Sequence, residues 1–153
     1  MDILSEDARS ERMKRIRSTN TKPEVKIRSG LHREGFRFRL HRRDLPGSPD
    51  IVLPKYKAAI QVRGCFWHQH SCRDGHSPKS RTAYWLPKLA GNVKRDRKND
   101  RSLRRLGWRM MVVWECQIRS KKRLDHIIST LDRFIRGSHT RRKEKKVVRR
   151  TSP

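Results

Sequence analysis

Apolar residues in this chain fall in short runs whose spacing changes from segment to segment. Residues 1–20 are polar, with Met13 and Ile16 three apart, and predict a short amphipathic helix or arm. At Thr21-Lys22-Pro23-Glu24 the residues form a capping box: the hydroxyl serves the Glu24 amide, the carboxylate reaches back, and proline is tolerated in the first turn. Val25, Ile27, Leu31 and His32 follow at helical spacing, and Gly35 stands where a helix stops, giving a helix of about 13 residues. Phe36-Arg37-Phe38-Arg39-Leu40 alternates as a half-buried strand does. After a turn at Asp44-Leu45-Pro46-Gly47-Ser48-Pro49, two short strands are expected over 50–53 and 58–62, joined tightly through 54–57. Residues 63–80 carry two glycines, a proline and two cysteines, and read as irregular. A helical stretch over about 81–106 is interrupted near Pro87 and Gly91 and closed by Gly107, and 108–114 is the most apolar strand. Leu124, Ile127, Ile128, Leu131, Phe134 and Ile135 then recur at three and four, predicting an amphipathic helix over about 121–136 that ends at Gly137. Helix, three strands, helix, strand, helix is an α/β order with a mixed sheet. No internal repeat is present.

Charge changes the picture most. Of 153 residues, 41 are Lys or Arg and 15 Asp or Glu, a net +26. Without residues 138–153, which hold seven basic and one acidic residue, 34 basic residues still face 14 acidic ones. The excess therefore belongs to the folded body as well as to a basic tail expected to be disordered when free. Self-repulsion on this scale opposes compaction, and a polyanion relieves it while releasing counterions, so nucleic acid is the expected partner. An anionic membrane surface ranks second, because no helix carries a broad apolar face. The longest apolar run is the five residues Met110 to Trp114, too short for a transmembrane helix, and the first thirty residues lack the apolar stretch of a secretory signal. A soluble intracellular protein is the expectation, and the lack of a spare apolar face favours a monomer.

Leu, Ile, Val and Phe number only 32, close to the ~20% below which a charged chain tends to stay unfolded. Such a fold needs its apolar residues concentrated or needs a staple, and the short apolar runs and the cysteines offer both. Cys65-Phe66-Trp67-His68-Gln69-His70-Ser71-Cys72 packs two cysteines and two histidines into eight residues, and the third cysteine, Cys116, ends the apolar strand. Structural zinc takes four thiolate or imidazole ligands, and Cys65, His70, Cys72 and Cys116 supply them, clipping a loop onto a distant strand. By spacing alone His68 or His76 could replace His70, and three unrelated buried thiols is the plainer reading. If His70 is the ligand, His68 is left two residues away with its backbone fixed, as a general base requires.

In so basic a chain the carboxylates stand out. Asp50 is presented at a strand start, an oxygen donor suited to Mg²⁺. Asn92, Asp96 and Asp100 lie at i, i+4 and i+8 and share one helix face. Glu24 is either a capping residue only or part of a site. Pro49-Asp50 followed eleven positions on by Gln61-Val62-Arg63 echoes the restriction-endonuclease core, with Gln61 and Arg63 in place of the second acid and the lysine.

Taken in order, Leu45-Pro46-Gly47-Ser48-Pro49-Asp50, the 64–72 Gly-Cys-Phe-Trp-His-Gln-His-Ser-Cys run, Asn92-Val93-Lys94-Arg95-Asp96, Leu106-Gly107-Trp108-Arg109 and Val113-Trp114-Glu115-Cys116 resemble the very short patch repair (Vsr-type) mismatch endonucleases over roughly residues 9–137. The resemblance implies a restriction-endonuclease-like core, a mixed central sheet flanked by helices, with structural zinc, in which residues 1–20 are a DNA-contacting arm, 21–137 the endonuclease domain and 138–153 a basic tail. It implies a Mg²⁺-dependent nick in one DNA strand beside the thymine of a T:G mismatch, in a bacterial cytoplasm, with mismatch-repair proteins as further candidate partners. By matched position, Asp50 and the backbone carbonyl of Val62 hold Mg²⁺ and His68 activates water. Asp96 and Asn92 lie in the polar network around it, Glu24 lies near the metal-bound waters, and Cys65, His70, Cys72 and Cys116 bind zinc. Phe66, Trp67 and Trp85 match aromatics inserted beside the mispair, where a wedge separates stacked bases. Trp108 and Trp114 read as core. Arg63 stands where some members have histidine and is available for the scissile phosphate. Val62 lacks the hydroxyl some relatives have, so a side-chain metal contact is excluded there. The basic tail matches nothing in the family and reads as a nonspecific DNA arm.

Two other readings share these features. A noncatalytic zinc-stapled nucleic-acid binder has no use for Asp50, His68, Asp96 and Asn92. A mismatch-independent nuclease on the same fold would cut paired duplex equally well.

Overall fold

The computed structural model describes Ala8 and residues 19–148, with side chains as far as Gly137. The arm expected over 1–20 thus falls almost wholly outside the described residues, as does the end of the tail, 149–153. Helix α1 spans Lys22–Arg33, with Thr21 as N-cap in extended conformation and Pro23 in the first turn. The Glu24 amide donates to Thr21 Oγ1 at 3.4 Å, and the Glu24 carboxylate reaches one residue further back than Thr21, accepting from the Asn20 amide at 3.0 Å. A box of this kind stabilises a helix start by about 1 kcal/mol. Gly35, at φ +84°, ends the helix as expected.

Strands β1 (Arg39–Leu40), β2 (Ile51–Leu53), β3 (Ala58–Arg63) and β4 (Arg109–Trp114) form one sheet in that order. β1 and β2, and β2 and β3, pair antiparallel; β3 and β4 pair parallel, with helix α2 (Thr82–Arg105) in the crossover. Helix α3 begins at Lys121 and runs to Val148.

Alternation along the strands sorts the core into two layers. Ile51, Leu53, Ala58, Ile60 and Val113 face one way and pack with Ile27 and Leu31 of α1 and Ile127, Ile128, Leu131 and Ile135 of α3. Val52 and Ala59 face the other way, under Leu103 of α2 and Trp108. α1 and α3 come so close that a Cβ at Gly30 would lie 2.6 Å from Ile128 Cγ1. No helix among the described residues is long and apolar enough to cross a membrane.

Three expectations need correction. The alternating segment 36–40 pairs only at Arg39 and Leu40, an edge strand that meets two of the three residues of β2; Phe36 is buried in the core and Leu40 is exposed. α2 is not interrupted. It passes through Pro87 and Gly91 unbroken, since its first turns are exposed and the carbonyl that proline leaves unbonded is open to solvent there. α3 does not end at Gly137 either: glycine permits a stop without enforcing one.

Candidate active site and metal centre

Asp50 ends the turn that Leu45 to Pro49 builds. Leu45 and Pro49 anchor it in the interior, Gly47 and Ser48 take positive φ of 74° and 44°, and the Ser48 amide donates to the Leu45 carbonyl at 3.0 Å. Gln61, standing where a second acid was sought, is buried and donates from Nε2 to the Gly47 carbonyl at 3.3 Å. It holds the turn rather than a cation.

The Asp50 carboxylate accepts from the Val62 amide at 2.7 Å. His41 Nε2 lies 3.9 Å from Asp50 Oδ1 and 3.0 Å from Glu24 Oε2, which also accepts from Arg28 at 2.8 Å. Glu24 therefore caps α1 and also reaches into the cleft beside Asp50, with a side chain only 3% exposed. Burial, reinforced by Glu24, pushes the Asp50 carboxyl up to about 6, against the Val62 hydrogen bond and the attraction of the neighbouring His41 and Arg28 side chains. A cation beside Asp50 would reverse that penalty, and carboxylates with space for waters are the donors Mg²⁺ prefers.

Across the same cleft of about 800 Å³ stand His68, Asp96 and Trp67. His68 Nδ1 meets Asp96 Oδ2 at 2.5 Å, and Asn92 Nδ2 donates to the Trp67 carbonyl at 3.0 Å. The face shared by Asn92, Asp96 and Asp100 is thus turned toward segment 63–68. Arg63 sends both terminal nitrogens to Asp100, at 2.6 and 3.1 Å, so the fork expected for phosphate is engaged within the protein.

Beyond the cleft, Cys65, His70, Cys72 and Cys116 place one ligand atom each within 4.8 Å of all the others. Three sulfurs and an imidazole at that spacing fit a tetrahedral zinc, and all three thiols are free of disulfides. His70 Nδ1 faces Cys116 Sγ at 3.5 Å, whereas His68 is turned to Asp96 and His76 Nδ1 to the Arg73 carbonyl, so the geometry separates three histidines that spacing left equivalent. Burial pushes the Cys65 thiol up to about 12; Cys72, despite burial, is drawn down to about 6 by hydrogen bonds from His70 and the backbone. A Cβ at Gly75 would overlap the His70 carbonyl, so the loop closes backbone on backbone. Trp114, expected in the core, instead stacks on His70 at 4.2 Å and 15°, while Trp108 is buried under α2 as expected.

Phe66, Trp67 and Trp85 gather into one half-buried cluster, with ring centroids 5.2 to 5.8 Å apart. Lys88 Nζ lies 5.9 Å from Trp67 and 5.8 Å from Trp85.

His41 escaped the sequence reading, yet register finds it. With Leu40 opposite Ile51 in an antiparallel pair, the next pair outward is His41 and Asp50, and the His41 amide donates to the Asp50 carbonyl at 3.3 Å. Glu115, next to a thiol ligand candidate, also lines the cleft.

A mixed α/β sheet with a carboxylate and histidine cleft at the ends of β2 and β3 defines a domain equipped for phosphodiester hydrolysis beside a separate Cys/His cluster. The family model for DNA mismatch endonuclease Vsr matches residues 1–74. Relatives include the type II nicking enzyme V.XorIIP of Xanthomonas oryzae pv. oryzae, 51% identical over 76% of this chain and 86% of the relative, and V.NmeAIP of Neisseria meningitidis serogroup A, 47% identical over 78% and 86%. The DNA mismatch endonuclease Vsr of Escherichia coli K12 is 38% identical over 89% and 88%. This chain belongs to the DNA mismatch endonuclease Vsr family, a family of DNA-hydrolysing endonucleases. The noncatalytic binder is thereby set aside.

Proposed function

We propose that this protein nicks one strand of double-stranded DNA beside the thymine of a T:G mismatch, in a Mg²⁺-dependent reaction that opens very short patch repair, acting as a monomer in a bacterial cytoplasm. The observation that carries the reading is one cleft holding Asp50 against Val62 on one wall and the His68–Asp96 pair on the other, with Phe66, Trp67 and Trp85 adjacent. Asp50 and the Val62 backbone carbonyl would hold Mg²⁺, which when bound polarises the phosphate and stabilises charge on the leaving oxygen. With Nδ1 engaged by Asp96, His68 offers Nε2 to take a proton from the attacking water, and Asp96 fixes the ring tautomer. Asn92, bonded to the Trp67 carbonyl, fixes the loop that carries His68. Glu24, held by His41 and Arg28, would lie near the waters of a metal ion at Asp50. Zinc on Cys65, His70, Cys72 and Cys116 would staple that loop to the end of β4.

The aromatic cluster supplies the preference for a mispair. A wedge unstacks bases at a cost of a few kcal/mol per step, less where the stack is already weak. The test is strand-specific nicking of labelled duplexes with one T:G mispair against matched T:A duplexes, with Mg²⁺ or EDTA, by wild type and Asp50→Ala. A Mg²⁺-dependent nick beside the mispaired T, absent from matched duplex and from the variant, is expected. Equal cutting of matched duplex would favour the mismatch-independent nuclease.

A further inference from the structure

Three successive turns of one face of α2 hold the segment that ends β3 and begins the cysteine loop. Asn92 holds the Trp67 carbonyl, Asp96 holds His68, and Asp100 holds Arg63. The third contact has no place in the chemistry described above, although it is the most enclosed. Arg63 and Asp100 side chains are 9% and 13% exposed, and their two parallel hydrogen bonds form the fork-to-fork geometry that fixes orientation as well as distance.

Arg63 also faces Asp96. Its Nε lies 4.0 Å from Asp96 Oδ2, the oxygen that His68 Nδ1 meets at 2.5 Å. That oxygen sits between a guanidinium and an imidazole, so a change in the Arg63 fork moves or frees the carboxylate that orients His68. The register shows why the contact forms. Residues 59, 61 and 63 share the sheet face that α2 covers, while Val62 points to the opposite layer and leaves its amide to Asp50. Adjacent residues on β3 thus brace the two walls of the cleft.

We infer that Arg63 and Asp100 are positioning residues for strand cleavage: a buried strut that sets α2, and through Asp96 the His68 ring, instead of a ligand for the scissile phosphate. The inference rests on the proposed role of His68. It makes two demands. The cleavage step should suffer when the fork is lost even if folding and DNA affinity do not, because displacing a reacting group by about 1 Å can cost about 100-fold in rate. Replacing the whole pair by apolar residues should preserve stability, since a buried ion pair contributes little over well-packed hydrophobic side chains, whereas removing one partner leaves a buried charge.

The experiment uses the zinc-loaded full chain as wild type, Arg63→Lys, Asp100→Asn and Arg63→Met/Asp100→Leu. Single-turnover nicking of a T:G duplex, equilibrium binding of the same duplex at several salt concentrations, thermal unfolding, and the downfield proton resonance of the His68 Nδ1–H bonded to Asp96 are measured on each. The expected result is a nicking rate down about 10- to 100-fold in all three variants, unchanged DNA affinity and salt slope, a double variant as stable as wild type, and a His68 proton broadened or lost in each. A double variant that nicks at the wild-type rate with its His68 proton intact would overturn the inference and reduce the pair to packing. So would weaker DNA binding with a salt slope shallower by about one in Arg63→Met/Asp100→Leu, which removes the guanidinium charge, the signature of a lost phosphate contact. If wild type binds the duplex without nicking it, the functional reading fails, and the His68 proton in the variants still decides whether the strut sets that ring.

Discussion

Asp50→Asn should make the metal-free protein more stable while abolishing cleavage. Asp50 lies 14% exposed beside Glu24, and burial raises its carboxyl from 3.8 to about 6. The shift of about 2 units corresponds to about 3 kcal/mol at ~1.4 kcal/mol per unit. The folded-state value lies above the unfolded one, so stability is intact below about pH 4 and is lost as pH rises toward and through about 6, where the folded carboxyl must also ionise. Asparagine keeps an oxygen to accept from the Val62 amide, 2.7 Å away, without the charge. At pH 7.5 and without Mg²⁺, Asp50→Asn should therefore unfold about 2 to 3 kcal/mol later in urea and melt roughly 5 to 10 °C higher. At pH 5 the advantage should narrow to about half, because wild type regains its proton there. Saturating Mg²⁺ should raise the midpoint of wild type and not of the variant. A variant that melts at or below wild type at pH 7.5, or a gain equal at both pH values, would refute the claim that burial strains this carboxylate.

Cys116→Ser, or chelation of zinc-loaded protein, should unfold the 64–75 loop and abolish nicking, with loss of loop amide protection in hydrogen exchange ahead of global unfolding; retention of both would remove the staple. Gly75→Ala should lower zinc affinity and stability by about 2 kcal/mol or more, read by chelator competition and thermal unfolding, because its Cβ overlaps the His70 carbonyl. Trp67→Ala should preserve folding, since the ring is half-buried, and should lower discrimination between T:G and T:A duplexes by about tenfold or more in paired binding titrations, a loss of at least ~1.4 kcal/mol.

What the sequence disclosed was mostly local. The capping box at Thr21 and Glu24 is a contact between residues three apart, so its spacing is its geometry. The strands over 51–53 and 58–63 are legible because their apolar residues can only serve a sheet buried on both faces. Three misses share a cause: propensity and pattern were outweighed by packing or exposure elsewhere. Pro87 costs one hydrogen bond at an exposed turn and does not end a helix anchored by Leu89 and Leu103. Gly137 offers a stop that α3 does not take. Trp114 looks like core on an apolar strand, but the strand end lies against His70. In the cleft, Asp50 stands out at a strand start, His68 within the cysteine run and Asp96 on the helix face it shares with Asn92, whereas Arg63–Asp100 spans 37 positions and His41–Glu24 spans 17. No spacing rule reaches such pairs without the sheet register and the placement of α2.

The cysteine loop has to satisfy three demands in eight residues. Cys65, His70 and Cys72 turn toward Cys116, Phe66 and Trp67 toward Trp85, and His68 toward Asp96. No regular element can send neighbouring side chains in three directions, so the segment is irregular and forgoes the hydrogen-bond ladder that would hold it. Ordering its backbone costs about 1 to 2 kcal/mol per residue, or about 8 to 16 kcal/mol in all. The apolar content is too low for hydrophobic burial to offset a cost of that size, and the aromatic rings that could help are half-exposed. A structural zinc contributes about 10 to 16 kcal/mol, the same scale. On the proposed reading, metal and catalytic histidine occupy one loop because only a cross-link of that strength can hold His68 where Asp96 meets it while leaving Phe66 and Trp67 at the surface for a mispaired stack.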